Sequence, residues 1–466
     1  MMMTQSRREF LRRSSCAIGA ATLLSGVEHF GLVNAFAQAS TDYRALVCIF
    51  LGGGNDGNNM VVPLSTAGYA AYSSVRGASG LAIASTSLLP VTPASIGEPF
   101  GLHPSLLELQ PLWSTGKLAV VCNVGPLVQP LTKTQFLSGS VARPYQLFSH
   151  SDQIAQWQAG RADIVSPTGW AGRAADLFPT STSGIPMITA LSGGIFIQGA
   201  STNPLSIASA PTPLNQVLIL NGFGTSTDER ARRYSLDYLR AIDREATLVQ
   251  ASSDRTQRAL DIGRTLNVDP TLTTAFPNTT LGNQLKQVAK VIKLVQTTPS
   301  LGVTRQIFFC QLGGFDTHQN QVGTQATLLT QVSFGMKAFY DATVELGVDN
   351  KVTSFTHSDF GRTLQPAGSG GVVGSDHAWG NHHLVLGGAV RGGDFYGVPG
   401  PNGSVFPTLQ LNGPDDTDRR GRWIPTASVE QYAATLAAWY GVGSAEIPSV
   451  FPLIGNFPTS NLGFMM

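Results

Sequence analysis

Charge is scarce in this chain. Only 13% of its 466 residues are Asp, Glu, Lys or Arg, and 30 basic side chains almost balance 29 acidic ones. No surplus of either sign draws it to nucleic acid or to an anionic membrane surface. Cysteine is scarcer still, with four in all. Three of them, Cys48, Cys122 and Cys310, sit inside strand-like apolar runs, where cysteine serves as a small buried hydrophobe rather than as part of a disulfide framework. No apolar stretch approaches the ~20 residues needed to span a bilayer, because Glu28 and His29 interrupt the one that begins at Ser14. The segment Gly52-Gly53-Gly54-Asn55-Asp56-Gly57 lacks the lysine of a P-loop, so it is not read as a nucleotide site. No internal repeat is apparent.

What the chain does have begins at its N-terminus. Ser6-Arg7-Arg8-Glu9-Phe10-Leu11 has the form of a twin-arginine export signal, and small residues offer cleavage after Ala37 or Ala39. Residues 1–37 are assigned to a signal peptide and 38–466 to a single α/β domain with inserted loops. The expected partner is the twin-arginine translocation machinery, and the expected location is periplasmic or secreted, with no stable membrane anchor. Cleavage after residue 37 leaves 26 basic and 27 acidic side chains.

Runs too apolar for a half-exposed sheet predict buried, parallel strands at Ala45–Leu51, Leu118–Val124, Met187–Leu191, Gln306–Leu312, Val352–Thr356 and Leu384–Leu386. Helical patterns fall at Gln153–Gln158, in a charged stretch from about Asp228 to Leu266, at Gln284–Val295 and at Leu328–Leu346. The alternation is that of an α/β fold with βαβ crossovers.

Chemistry gathers between residues 313 and 393. Asp316 and His318 follow one predicted strand, His357 and Asp359 lie at the end of the next, and Asp376-His377 comes after a Gly/Ser loop. Hard oxygen and imidazole ligands at strand carboxyl ends are what a hydrolytic metal site needs. Asp56, after the first strand, is a further candidate ligand, with a Gly-rich turn as the plainer reading. Ser149 and Ser151 precede a helix, where a hydroxyl is either an N-cap or a nucleophile beside free backbone N–H groups. Arg362 either clamps a substrate oxyanion or pairs with an acidic neighbour. His382 and His383 border an apolar run and read as structural.

The export signal, the Gly-rich Asn-Asp-Gly segment, Gly-Gly-Phe-Asp-Thr-His-Gln-Asn-Gln (313–321), Ser358 to Arg362, Asp376-His377, Gly387 to Gly393 and Arg422 to Thr426 together resemble the bacterial proteins grouped as domain of unknown function 1501. That family is similar to the alkaline phosphatase and sulfatase superfamily. The resemblance implies a three-layer α/β/α fold with a mostly parallel central sheet. It also implies that Asp56, Asp316, Asp359 and His377 are metal ligands beside a Ser, Thr or Cys nucleophile, and that the cofactor is zinc, calcium or magnesium. Two departures stand out. His318 follows Asp316 by two residues where the superfamily spaces that histidine by four, and Phe360 stands where an Asp-His pair would supply another imidazole. Two metals, one or none therefore stay open. The implied activity is hydrolysis of a small anionic phosphate or sulfate ester. The alternative is a non-catalytic exported binding or cell-envelope scaffold that keeps the fold.

The export reading is directly testable. Changing Arg7→Lys together with Arg8→Lys is expected to leave the precursor in the cytoplasm, because paired guanidinium groups are what the receptor reads. Cell fractionation checks it, and undiminished delivery of the double variant to the periplasm contradicts it.

Overall fold

The computed structural model describes residues 42–179, 187–202, 204–218, 223–242, 246–368 and 372–466. The assigned signal peptide and residues 369–371 of the Gly/Ser loop lie outside these. Each predicted strand is present. They are β1 (Arg44–Leu51), β2 (Leu118–Gly125), β3 (Ile188–Ala190), β5 (Arg305–Leu312), β6 (Val352–Ser358) and β9 (Asn381–Gly387), joined by the short β4 (Leu205–Ser206), β10 (Phe395–Tyr396) and β11 (Ala427–Ser428). The sheet runs β10-β2-β9-β6-β1-β5-β3-β4, with β11 also on β2. Pairing is parallel except along β9: the run Leu384–Leu386, expected to be parallel, is antiparallel to both β2 and β6, since burial on both faces makes a strand apolar throughout whichever way it runs.

The period of two along β1 sorts its side chains into two cores. Ala45, Val47, Ile49 and Leu51 face one layer, where α7 (Thr280–Thr297) contributes Leu285 and Ile292, and α8 (Gln321–Glu345) contributes Val332 and Met336. Leu46, Cys48 and Phe50 face the other, filled by Trp157 of α3 (His150–Ala159), Trp170 of α4 (Trp170–Asp176) and Tyr432 of α9 (Val429–Tyr440). Strands buried on both faces must be apolar throughout, which is why they were legible as unbroken runs. This is the three-layer α/β/α arrangement. The step β5-α8-β6 is a crossover with β1 lying between its two strands. The free cysteines Cys48, Cys122 and Cys310 are all buried in these cores, where burial pushes their thiols up.

Local signals set the helix ends. Thr279 caps α7 by accepting from the Gly282 N–H, and Ser428 with Gln431 forms a reciprocal box at the start of α9. The charged stretch resolves into two helices, α5 (Thr227–Ala241) and α6 (Thr247–Thr265). A hairpin of β7 (Arg362–Ala367) and β8 (Gly374–His377) lies beside the main sheet and sets Arg362 opposite His377. Its short polar strands, broken by Pro366, carry no apolar run to read. No helix among the described residues is long and apolar enough to cross a membrane.

Two buried imidazoles tie this fold to neutral pH. Desolvation pushes His357 and His382 each down to about 3, and Nδ1 of His382 accepts the Asn123 N–H. An unfolded imidazole titrates near ~6.5, so between about 6.5 and 3 the unfolded chain binds more protons than the folded one. The stability these neutral rings confer is present above that window and is lost as pH falls through it. Urea unfolding is expected to show a midpoint clearly lower at about pH 4.5 than at about pH 7. A flat midpoint contradicts it.

Candidate metal centre

Four elements bring polar groups to one rim, at the carboxyl ends of β1, β5 and β6. Asp316 lies just beyond β5, Asp359 follows β6 directly, His377 closes β8, and His150 opens α3. The glycines after β1 permit this crowding. Gly53 and Gly54 have φ of +115° and +86°, and a Cβ on Gly53 would stand 2.3 Å from the Asp316 nitrogen. Only glycine accepts both demands.

Asp316 Oδ1 is the focal atom. Nε2 of His318 lies 3.1 Å from it, Nε2 of His150 3.4 Å and Nε2 of His377 3.5 Å. His150, Asp316 and His377 form a triad whose donor atoms all lie within 4.8 Å of one another. The opposite nitrogen of each ring is already held. His150 Nδ1 meets Asp359 Oδ2 at 2.6 Å, His377 Nδ1 donates to the Phe148 carbonyl at 2.9 Å, and His318 Nδ1 meets Asp376 Oδ1 at 3.1 Å. An acceptor at Nδ1 keeps the proton there and turns the Nε2 lone pair toward the cluster, the usual support for a metal-binding imidazole. Phe148 holds φ of +69° to aim that carbonyl, a conformation that bulky residues avoid.

Two further observations test the fit to a cation. His150 Nε2 is buried without a hydrogen-bond partner, a state that costs desolvation energy and is rare in folded proteins. His318 Nε2 and His377 Nε2 are 3.0 Å apart, and two lone pairs at that distance repel unless a proton or a cation lies between them. Imidazole nitrogens with one carboxylate oxygen suit a divalent cation.

Electrostatics around the cluster follow from its partners. For Asp316, burial opposes ionisation, but the Arg362 guanidinium, helped by His150 and His318, leaves the carboxyl below the usual range. The hydrogen bond to Asp359 raises His150, whereas burial lowers His377. Asp376 behaves like Asp316, with burial outweighed by Arg420.

The residues named from the sequence are placed as follows. Asp316, His318 and His377 meet in the cluster. Asp359 stands behind it, with one oxygen on His150 and the other accepting the Gly53 N–H at 2.9 Å. Asp56 points elsewhere: it caps α1 (Gly57–Met60) and accepts from Arg76 at 2.6 and 3.1 Å, from Asn58 N–H at 3.1 Å and from the Gln321 amide. Arg362 is fully buried and each guanidinium nitrogen is bonded, to the carbonyls of Gly53, Gly54, Phe315 and Ser375 and to Asp316. Pairing with an acidic neighbour, not clamping a substrate, is the alternative it realises. Ser149 is the N-cap position of α3, and its hydroxyl donates to Asp152 Oδ2 at 2.6 Å, as does that of Ser151 at 3.2 Å. The side chain that α3 sends to Asp316 is His150. Sequence reasoning passed over it within Ser149-His150-Ser151-Asp152, where a histidine in a helix's first turn was the available signal.

The Asp56–Arg76 pair gives a stability test. Both side chains are fully buried, so Asp56→Ala strands an uncompensated guanidinium and is expected to cost about 3–5 kcal/mol in denaturant unfolding. Metal content per folded molecule is expected to stay unchanged. Loss of metal with stability intact would instead make Asp56 a ligand.

Comparison with curated proteins gives no match. Among solved structures, the chain is similar to the zinc complex of the C-terminal periplasmic domain of EcEptC from Escherichia coli, at 10% identity and a TM-score of 0.32, covering 74% of this chain and 73% of that one. It is also similar to the PsFucS1 sulfatase from Pseudoalteromonas sp., at 8% identity and a TM-score of 0.31, covering 80% and 67%. Residues 43–405 match the model of the family described as protein of unknown function (DUF1501), and the chain belongs to that family.

Proposed function

We propose that this chain is an exported, metal-dependent hydrolase of a small phosphate or sulfate ester, delivered by the twin-arginine machinery, with one divalent cation held by His150, Asp316 and His377. The observation that carries the reading is the convergence of Nε2 edges on Asp316 Oδ1, each ring backed by an acceptor at Nδ1. The nitrogen-rich donor set favours zinc over calcium or magnesium, which prefer all-oxygen sites. When bound, such a cation supplies Lewis acidity and neutralises charge on the ester oxygens. The protein's own groups divide the remaining work. Asp359 orients His150, and Arg362 keeps Asp316 ionised and in place. His318, the most exposed of the three rings at 42% against 32% and 25%, is the one reachable by a leaving oxygen, and Asp376 holds its orientation through Nδ1. Ser149 Oγ attacks the phosphorus or sulfur of the ester and passes its proton to the Asp152 carboxylate with which it is hydrogen-bonded, the bond to the leaving oxygen breaks, and water then releases the group from the serine; Ser151 is the second candidate.

A non-catalytic exported binding protein is the competing reading, and one observation favours it. The nearby guanidinium groups are all engaged by protein, Arg362 as described, Arg420 on Asp376, and Arg422 on Asp418 and the His377 carbonyl. Metal analysis combined with turnover of aryl phosphate and aryl sulfate decides between them. The expected result is one equivalent of metal, its loss in His150→Ala, and a fall in turnover of about 10³-fold or more in Ser149→Ala, Ser151→Ala with metal retained. Retained turnover in the double serine variant shifts the attack to water. Stoichiometric metal with no turnover supports the binding protein, and absence of metal removes the centre altogether.

A further inference from the structure

A pocket of about 430 Å³ opens at the carboxyl end of β2, and none of its lining residues belongs to the metal centre. That volume suits a small molecule. The Thr426 N–H donates to the Asn123 carbonyl at 3.1 Å, and β11 follows directly, so one wall is anchored on the main sheet. Leu131, Val398, Ile424 and the rings of five prolines make the surface largely apolar, and no aromatic residue is among the lining. Its polar character is one-sided. Prolines bring no N–H, and the N–H groups of Gly400, Ile424 and Thr426 are spent on the carbonyls of Ser404, Asp415 and Asn123. A lining so poor in donors does not suit an anion.

Asp415 is the charged residue of this pocket. It is 3% exposed, and its Oδ2 accepts the Thr408 N–H at 2.9 Å. Among the described residues, Oδ1 meets neither a donor nor a cation. It lies beside Gly400 of the same lining, 3.6 Å from where a Cβ would stand, and so faces the cavity. The neighbouring cations are committed elsewhere: Lys133 donates to Asn412 and to the Gly413 carbonyl, and Arg422 to Asp418 and the His377 carbonyl. Asp416, the next residue, is different, because its two oxygens accept the N–H groups of Asn412, Asp418 and Arg422. A carboxylate withdrawn from water is costly unless hydrogen bonds or an opposite charge replace the solvent. For Asp415 half of that replacement is left to a ligand.

We infer that this pocket binds a small aliphatic amine in its ammonium form, with Asp415 Oδ1 accepting an N–H and the proline-rich wall covering the alkyl chain. A charge-assisted hydrogen bond at the base supplies the selectivity. A quaternary ammonium has no N–H to give and finds no aromatic face here to hold it. The site does not depend on the hydrolytic reading of the metal centre.

Calorimetric titration of the purified chain with hexylamine in an amine-free buffer near pH 7, with and without EDTA, tests this. Saturable binding at one site is expected, unchanged by EDTA, and at least tenfold weaker for hexan-1-ol and for hexyltrimethylammonium. Asp415→Asn is expected to weaken hexylamine binding at least tenfold without lowering the urea midpoint of the free protein, because it removes a buried charge that has no counter-charge. Gly400→Ala leaves Asp415 in place but sets a methyl 3.6 Å from Oδ1, with no neighbour closer than 3.3 Å, and is expected to weaken binding as well. Absence of saturable binding overturns the inference. So does equal affinity for the alcohol, undiminished affinity in a folded Asp415→Asn protein, or binding abolished by EDTA, which would place the amine on the metal.

Discussion

A single buried guanidinium sets the geometry of the rim. Arg362 has no exposed side-chain surface, and a charge withdrawn from water is tolerable only where hydrogen bonds and an opposite charge replace the solvent. Here the replacements come from three stretches far apart in sequence: the carbonyls of Gly53 and Gly54 after β1, Phe315 and Asp316 after β5, and Ser375 in β8. Satisfying one side chain therefore locks three loop ends together. A lysine, with a compact ammonium and no planar fork, does not reach all of them. The same demand explains the glycines, since any side chain at Gly53 would collide with the backbone of Phe315 and Asp316.

With Asp316 held by that guanidinium, the imidazoles have a fixed anion to face. Each is oriented through its far nitrogen by a group from a different element: Asp359 beyond β6, the Phe148 carbonyl ahead of α3, and Asp376 in β8. These supports are themselves supported. Gly53 N–H donates to Asp359, Arg420 holds Asp376, and the Arg422 guanidinium lies over the Phe148 ring at 4.5 Å. A donor cluster built on such layered contacts keeps its spacing without a ligand, which is the condition for binding one without reorganisation. Its polar outer face is open, with the Asp316 side chain 48% exposed, while the histidines His357 and His383 beneath are sealed among Trp157 and Tyr432.

Much of the scaffold was legible because burial on both faces of the sheet leaves an unmistakable trace. Every strand carrying an unbroken apolar run was present where it was read, and the helix before β6 gave the crossover. The hairpin of β7 and β8 left no such trace, yet it delivers both Arg362 and His377. Within the cluster, residue type was informative and direction was not. Asp56 and Asp316 both follow strands, but Asp56 turns into Arg76 and caps a short helix, whereas Asp316 turns outward. His150 was hidden among neighbours with more conspicuous side chains.

Composition and periodicity by themselves determined the layered α/β class, the strand positions, the burial of the cysteines and the neighbourhood in which polar chemistry collects. These properties follow from local burial, which each residue reports through its own polarity and the period of its neighbours. Which carboxylate faces solvent, which ring nitrogen is free, and which cation is already committed were decided only by the tertiary structure. Those outcomes depend on partners distant in sequence, 306 residues apart for Gly53 and Asp359 and 46 for Arg362 and Asp316, and a hydrogen bond across such a distance leaves no period in the sequence.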